Sequence, residues 1–296
     1  MRLEFAVLGH IAIDHVLTSD GCRIQLGGPP TYASLVARRL GVAVRAVTRL
    51  GEDMPEDLKD QLRELGIDPE GHVSRGSRTT RFVLDYRGRE RRLSVLSVCE
   101  EIDEAEASGL PETVLISPII GEVPEGALRA VMERDLALDP QGFTRSIGPG
   151  GIILPRSWRD EGLLGRVKIF KSSIEELGLI TGEENPWRGL EKIHGLGVEA
   201  AMATMGEGGT LLLTGGRRYL VPPYRVERVV DPTGAGDAFI SGYLSQHLRG
   251  EDALWCSSMG ASAASAVIET LGARLEASDR QLFERAEEVY ENILRL

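Results

Sequence analysis

No apolar run in this 296-residue chain approaches the roughly 18 residues that a bilayer span requires. Basic residues are also in short supply: 34 Lys and Arg stand against 45 Asp and Glu, a net charge of −11. A surface of that sign repels phosphate backbones and anionic lipid, so neither nucleic acid nor a membrane is an expected partner. Cysteine is sparse. Cys22, Cys99 and Cys256 lie far apart, which argues against a disulfide framework or a zinc knuckle and fits a reducing cytoplasm, the expected location. A basic-then-apolar leader is not expected either, because Glu4 and Asp14 interrupt the start. The five histidines have no metal-ligand spacing, and His10 and His15 read as surface or pocket-edge residues. No Gly-Lys pair occurs, so a Walker-type phosphate loop is excluded.

What is present is ordinary globular composition, 42% hydrophobic and 27% charged, enough for one large core with a small accessory unit. Residues 3–8 form an apolar run that ends at Gly9 and reads as a buried strand. Residues 31–40 carry apolar side chains at helical spacing and close at Gly41. A strand over 42–47 and a helix over 54–65 follow. This alternation predicts a parallel sheet covered by helices. It breaks between 73 and 98, where 81–85 and 91–97 flank a turn at Gly88; with 16–26 they are expected to form a small antiparallel sheet, a lid.

Alternation then resumes, with strands expected at 113–116, 136–138, 167–170, 199–204 and 210–213. Helices are expected at 125–133, 174–179, 186–194, 236–248, 252–268 and 278–295, and loops at 142–156 and 221–232. The expected fold class is α/β: an αβα sandwich with a mostly parallel central sheet and a small β lid, one domain over 1–296.

Chemistry concentrates in Asp231-Pro232-Thr233-Gly234-Ala235-Gly236-Asp237-Ala238-Phe239. Pro232 stops a strand, Gly234 and Gly236 allow a tight turn, and a long helical segment starts at once. Unpaired N–H groups at that helix start make an anion site suited to a transferring phosphoryl group. Asp237 then adds a carboxylate that can take a proton from an attacking hydroxyl. The bland alternative is that Asp237 caps the helix.

This segment resembles the C-terminal signature of the ribokinase-like sugar kinases, the PfkB family, and the resemblance covers nearly the whole chain. Gly9 with Asp14 resembles the family's early strand–aspartate motif, and Gly27-Gly28 before a helix its N-terminal signature. Lys171 and Glu176 resemble the Asn-x-x-Glu region, and Thr204 to Gly209 the Thr-x-Gly-x-x-Gly element. Three places depart: Tyr32 and Ser173 each stand where the family usually has Asn, and Asp139-Pro140-Gln141-Gly142-Phe143 replaces Asp-x-Asn-x-Arg. Tyr32 with Ser34 and Asp139 to Phe143 is similar to the inositol-kinase branch.

The resemblance implies an ATP-dependent kinase, with Mg2+, acting on a hydroxyl of a small sugar or polyol. Asp237 is the implied base and the Gly234, Ala235 and Gly236 amides the anion hole. Asp14, Gly27, Gly28 and Tyr32 fall to the acceptor, and Lys171, Thr204, Gly206, Gly209 and Thr233 to the nucleotide. Glu176 would serve the metal through water. A nucleoside kinase, or a non-catalytic sugar or nucleotide sensor on the same scaffold, stands as the alternative, and the presence of Asp237 argues against the sensor. A homodimer through the lid is a further expectation.

Three other features carry alternatives. The arginines at 75, 78, 81, 87, 89, 91 and 92 read either as a solvated edge or as a lid meeting an anionic substrate. The small residues from Gly260 to Ala266 read as a purine floor or as close helix packing. Gly195 to Ala200 matches Gly-x-Gly-x-x-Ala but reads as a helix–strand turn.

Overall fold

The computed structural model describes residues 3–19, 21–88 and 92–296. Its centre is a nine-stranded sheet ordered Leu294–Arg295, Arg217–Val221, Thr210–Thr214, Ala200–Thr204, Val167–Ser173, Asp135–Leu138, Thr113–Ile116, Glu4–Leu8, Ala43–Val47. The strands from Ala200–Thr204 to Ala43–Val47 pair in parallel, and the remaining three are antiparallel. Runs such as Phe5 to Leu8 are apolar without interruption because helices cover both faces. Strand alternation divides them. Ala6, Leu8, Val114 and Ile116 pack toward the helices Glu125–Val131, Ile174–Thr181 and Pro186–Gly195. Phe5, Val7 and Leu115 pack toward Pro29–Arg39, Ala235–His247 and Ala253–Ile268. The result is the expected αβα sandwich.

The lid is a four-stranded sheet ordered Gly21–Gly27, Ala12–Thr18, Thr80–Asp85, Arg92–Ser97. It starts earlier than the expected 16–26 and is not wholly antiparallel, because Ala12–Thr18 pairs in parallel with Thr80–Asp85. The reason is connectivity: after the lid strand Gly21–Gly27, a helix, a core strand and a second helix come before Thr80–Asp85, and such a long crossover can return a chain in parallel. Alternation then turns Asp14, Phe82, Leu84 and Leu93 to one lid face and His15, Ile24, Val83 and Leu96 to the other.

Other boundaries move for local reasons. The first helix begins at Pro29, two residues early, since proline suits the first helical turn. The loop expected at 142–156 contains a short hairpin, Arg145–Ile147 with Ile153–Pro155. The strand Arg217–Val221 is an addition to the expected set, hidden in the sequence by its basic start. The last helix ends at Glu291 rather than at 295, and Leu294–Arg295 joins the sheet edge instead. The turn at Gly197, with φ of 111°, joins a helix to a strand as expected. Among the described residues no helix is long and apolar enough to cross a membrane.

Candidate active site

The parallel strands all end at one rim, where chain reversals leave a crevice. Lys171 and Ser173 lie at the end of Val167–Ser173, Thr204 ends its strand, and Asp139 follows Leu138. Opposite them the helix Ala235–His247 begins after Gly234, whose φ is 79°. A Cβ at Gly234 would fall 2.4 Å from the Tyr32 ring, so both the backbone angle and the space demand glycine there. A Cβ at Gly236 would lie 2.6 Å from Lys171 Nζ, which puts an ammonium directly behind the helix start.

Two clefts meet at this point. The first, of about 250 Å³, is lined by Asp14, Gly28, Tyr32, Lys171, Glu176 and the segment 232–237, with Phe82, Leu84, Leu93 and Ile119 as an apolar side. The second, of about 170 Å³, is lined by Gly206, Gly209, Pro222, Pro223, Tyr224, Ala261 and Ala264. Thr204, Ala235 and Gly236 border both. Every site residue named from the sequence therefore lies in or against this pair. Gly27 is the one outside the linings, and its missing side chain leaves room for the Asp14 carboxylate, which a Cβ would meet at 2.1 Å.

Asp237 is buried and makes no capping bond. Instead its Oδ1 accepts from Gln141 Nε2 at 3.0 Å. Burial, with the Asp139 charge adding to it, raises its carboxyl to about 7, against the pull of Lys171, Arg145 and Gln141. The Ala235 N–H makes a long 3.4 Å bond to the Pro232 carbonyl. The Gly234, Gly236 and Asp237 amides have no backbone acceptor among the described residues. The open donors thus include the Asp237 amide, which the sequence reading did not name.

Lys171 Nζ donates to Asp139 Oδ2 at 2.6 Å, and both side chains are buried. Burial disfavours the ammonium, but Asp139, Glu176 and Asp237 outweigh it and its pKa is raised. Asp139 Oδ1 is buried without a hydrogen-bond partner. Ser173 and Glu176 form a capping box: Ser173 Oγ accepts from the Glu176 amide at 3.1 Å, and Glu176 Oε2 accepts from the Ser173 amide at 2.8 Å. Serine in place of asparagine thereby keeps the helix start.

Asp231 acts as a clamp that sequence reading missed. Its carboxylate accepts from Arg23 at 2.7 Å, Gln25 at 3.1 Å and the Thr233 amide at 3.0 Å, tying the lid to the turn before Gly234. Burial opposes its charge, yet hydrogen bonds from Thr233, Gln25 and the Gly272 amide hold its pKa below the usual carboxylate range. Gln141 and Arg145 were missed as well. Of the lid arginines, Arg78 and Arg81 pair with Asp53 and Arg87 with Asp85, away from the first cleft. Arg89 and Arg91 lie outside the described residues. Among the described residues, the arginine that lines the cleft is Arg145.

His10, expected at the surface or a pocket edge, is fully buried and bonded through Nδ1 to Thr80 at 2.9 Å. No group of three or more metal-binding side chains occurs among the described residues. On the helix Ala253–Ile268, Ala261 and Ala264 line the second cleft, while Gly260 packs so closely on Phe239 that a Cβ would meet its carbonyl at 2.8 Å. One face of the small-residue run thus packs against a helix, and the other borders the second cleft.

Residues 2–280 match the model of the pfkB family carbohydrate kinases. The chain belongs to that family. It is a carbohydrate or nucleoside kinase, a phosphotransferase with a ribokinase-like fold. The kinase is 28% identical to a cytidine kinase of Thermococcus kodakarensis, over 91% of this chain and 98% of that one. In structure it is similar to a pyrophosphate-dependent kinase of the ribokinase family, solved with a pyrophosphate analog and myo-inositol. There the TM-score is 0.77 at 21% identity, covering 95% of this chain and 100% of the other. It is likewise similar to the nucleoside kinase of Methanocaldococcus jannaschii, with a TM-score of 0.74 at 20% identity, covering 97% and 99%.

Proposed function

We propose that this kinase transfers the terminal phosphoryl group of ATP to a hydroxyl of a small sugar or polyol held in the first cleft. One observation carries the reading: the Asp237 carboxylate lines the first cleft one residue past Gly236, which borders both clefts, beside unpaired amides and the Lys171 ammonium. Asp237 takes the hydroxyl proton, and the amides of 234–237 with Lys171 receive the charge of the phosphoryl group. The second cleft, with Tyr224 and two prolines on one side and Ala261 and Ala264 on another, suits a flat base. Thr204, Gly206, Gly209 and Thr233 then flank the phosphates.

Mg2+ fits here through Glu176, whose Oε2 is committed to the capping box and whose other oxygen remains for the cleft it lines. One carboxylate acting through water, completed by phosphate oxygens, is an adequate magnesium environment. Bound there, the ion would neutralise charge on the donor phosphates.

Asp14, Gly27, Gly28 and Tyr32 hold the acceptor. If Asp14 bonds acceptor hydroxyls, Asp14→Ala raises the acceptor KM about 10- to 100-fold, the value of roughly 1.5–3 kcal/mol for a charge-assisted bond, and leaves the ATP KM alone. An unchanged acceptor KM makes Asp14 structural.

A nucleoside acceptor is the second reading, favoured by the apolar side of the first cleft at Phe82, Leu84, Leu93 and Ile119, which a nucleobase would cover. Turnover screened over ribose, fructose, inositols, ketodeoxy acids, sugar phosphates and nucleosides separates the two. Pyrophosphate serves as the control donor. Turnover confined to nucleosides selects the second reading, and none with any acceptor removes both.

Exposed Ile24 and Leu96 on the far face of the lid, at 53% and 59%, support pairing with a second copy there. Light scattering of the purified chain is expected to give a dimer that Ile24→Glu splits. A monomer at all concentrations overturns this.

A further inference from the structure

Gln141 belongs to the turn after the strand Asp135–Leu138, and that turn is rigidly seated. The Gly142 amide donates to the Pro118 carbonyl at 2.9 Å, and Thr144 Oγ1 donates to the Gln141 carbonyl at 3.0 Å. A Cβ at Gly142 would come within 2.5 Å of the Pro118 backbone, so the two segments touch. The side chain of Gln141 is gripped at both ends. Arg145 Nη2 donates to its Oε1 at 2.8 Å, and its Nε2 donates to Asp237 Oδ1 at 3.0 Å. Arg145 is held in turn, since its Nη1 donates to the Ile119 carbonyl at 3.0 Å.

This chain has only one direction. A guanidinium has donors and no acceptor, so the amide oxygen must face Arg145 and the NH2 must face Asp237. The NH2 can only donate, and donation is matched by an ionised carboxylate. Its hydrogen bond goes to one carboxylate oxygen. Gln141 bonds Oδ1 and not Oδ2.

We propose that Gln141, oriented by Arg145, is a positioning residue that ties down Asp237 Oδ1 and leaves Oδ2 as the atom that receives the acceptor proton. The inference rests on Asp237 being the base. In the step, the acceptor oxygen gives its proton to Oδ2 and forms a bond to the terminal phosphorus. The bond from that phosphorus to the bridging oxygen breaks, and its electron pair leaves with the nucleoside diphosphate. The groups facing Asp237 are Asp139, Gln141 and Arg145 from the turn region, Lys171 from its strand and Tyr32 from the first helix. Gln141 is neutral and is hydrogen-bonded to Asp237, so its removal takes away that bond and leaves every charge in place.

The test is the pH profile of kcat/KM from pH 5 to 9, with the acceptor that wild type uses, for Gln141→Leu, Gln141→Glu and Asp237→Asn in the full chain. Gln141→Leu removes the donor and is expected to move the acidic limb up by about one pH unit and lower kcat about tenfold. Gln141→Glu keeps the size and sets a second carboxylate against Asp237, so its shift is in the same direction and larger. Both variants keep the ATP KM within about twofold. A loss of folding would scale active enzyme at all pH values alike and would not move the limb, and Gln141→Glu guards against a misfolded Leu variant. If the limb vanishes in Asp237→Asn but stays at the wild-type pH in both Gln141 variants, the positioning role is overturned and the base survives. If Asp237→Asn keeps the limb and the rate, the base assignment falls and this inference with it.

Discussion

Asp237→Asn lowers kcat by about 10²–10⁴-fold and leaves the nucleotide KM nearly unchanged. A sugar hydroxyl is a weak nucleophile at neutral pH and its target is already negative, so the site needs a proton acceptor that adds no exposed base. Asp237 meets both demands, because burial and Asp139 lift its carboxyl to about 7 while it sits at the end of the anion site. Wild-type kcat/KM is accordingly expected to rise with pH through about 7 as the carboxyl ionises, and the Asn variant is expected to lose that limb. Stability moves the other way. A carboxyl raised from 3.8 to about 7 binds its proton more tightly in the folded state, so stability falls as pH climbs between those values. Above pH 7 the charged form is a burden on the fold, and Asp237→Asn removes it. The variant is therefore expected to melt no lower than wild type at pH 8. A capping role predicts the reverse, normal turnover with a loss of about 1 kcal/mol. Near-normal kcat in a folded variant would sink the base and weaken the proposed chemistry as a whole.

The turn of 231–237 was legible in the sequence because its information is local. Proline, two glycines and an aspartate in the first helical turn determine a shape and a charge within seven positions. The core strands were legible for a similar reason, since burial on both faces leaves a continuous apolar run such as Val114-Leu115-Ile116. What escaped was non-local. The parallel pairing of Ala12–Thr18 with Thr80–Asp85 is fixed by how the intervening units pack, and no spacing within either strand records it. Arg145 lies 92 positions before Asp237, and its link runs through a glutamine whose neighbours in sequence gave no sign of a partner. The Asp231 clamp on Arg23 likewise joins residues 208 apart. The lid arginines left two readings open, a solvated edge or an anion contact, and composition could not choose; Arg81 turns to Asp53, and the apolar side chains of the same strand face the cleft.

Lys171→Met is expected to cost roughly 3–5 kcal/mol, since it leaves Asp139 with no ion-pair partner in a fully buried position. For a chain of this length that is a fall in Tm of about 5–10 °C. The loss depends on pH with a definite sign. Burial already pushes the Asp139 carboxyl up, and without the ammonium the push is stronger, so acid lets Asp139 go neutral and shrinks the deficit. The gap between variant and wild type is thus widest near pH 8 and narrows toward pH 5. A second substitution separates the pair's structural part from its charge. Asp139→Asn placed in the Lys171→Met background removes the stranded carboxylate and is expected to restore most of the Tm. It cannot restore the ammonium behind Gly236, so kcat and the ATP KM stay impaired in the double variant. If the double variant instead regains wild-type turnover, Lys171 has no part in receiving the phosphoryl charge and serves only to neutralise Asp139. If Asp139→Asn fails to recover stability, the strand Val167–Ser173 depends on the lysine for packing rather than for charge.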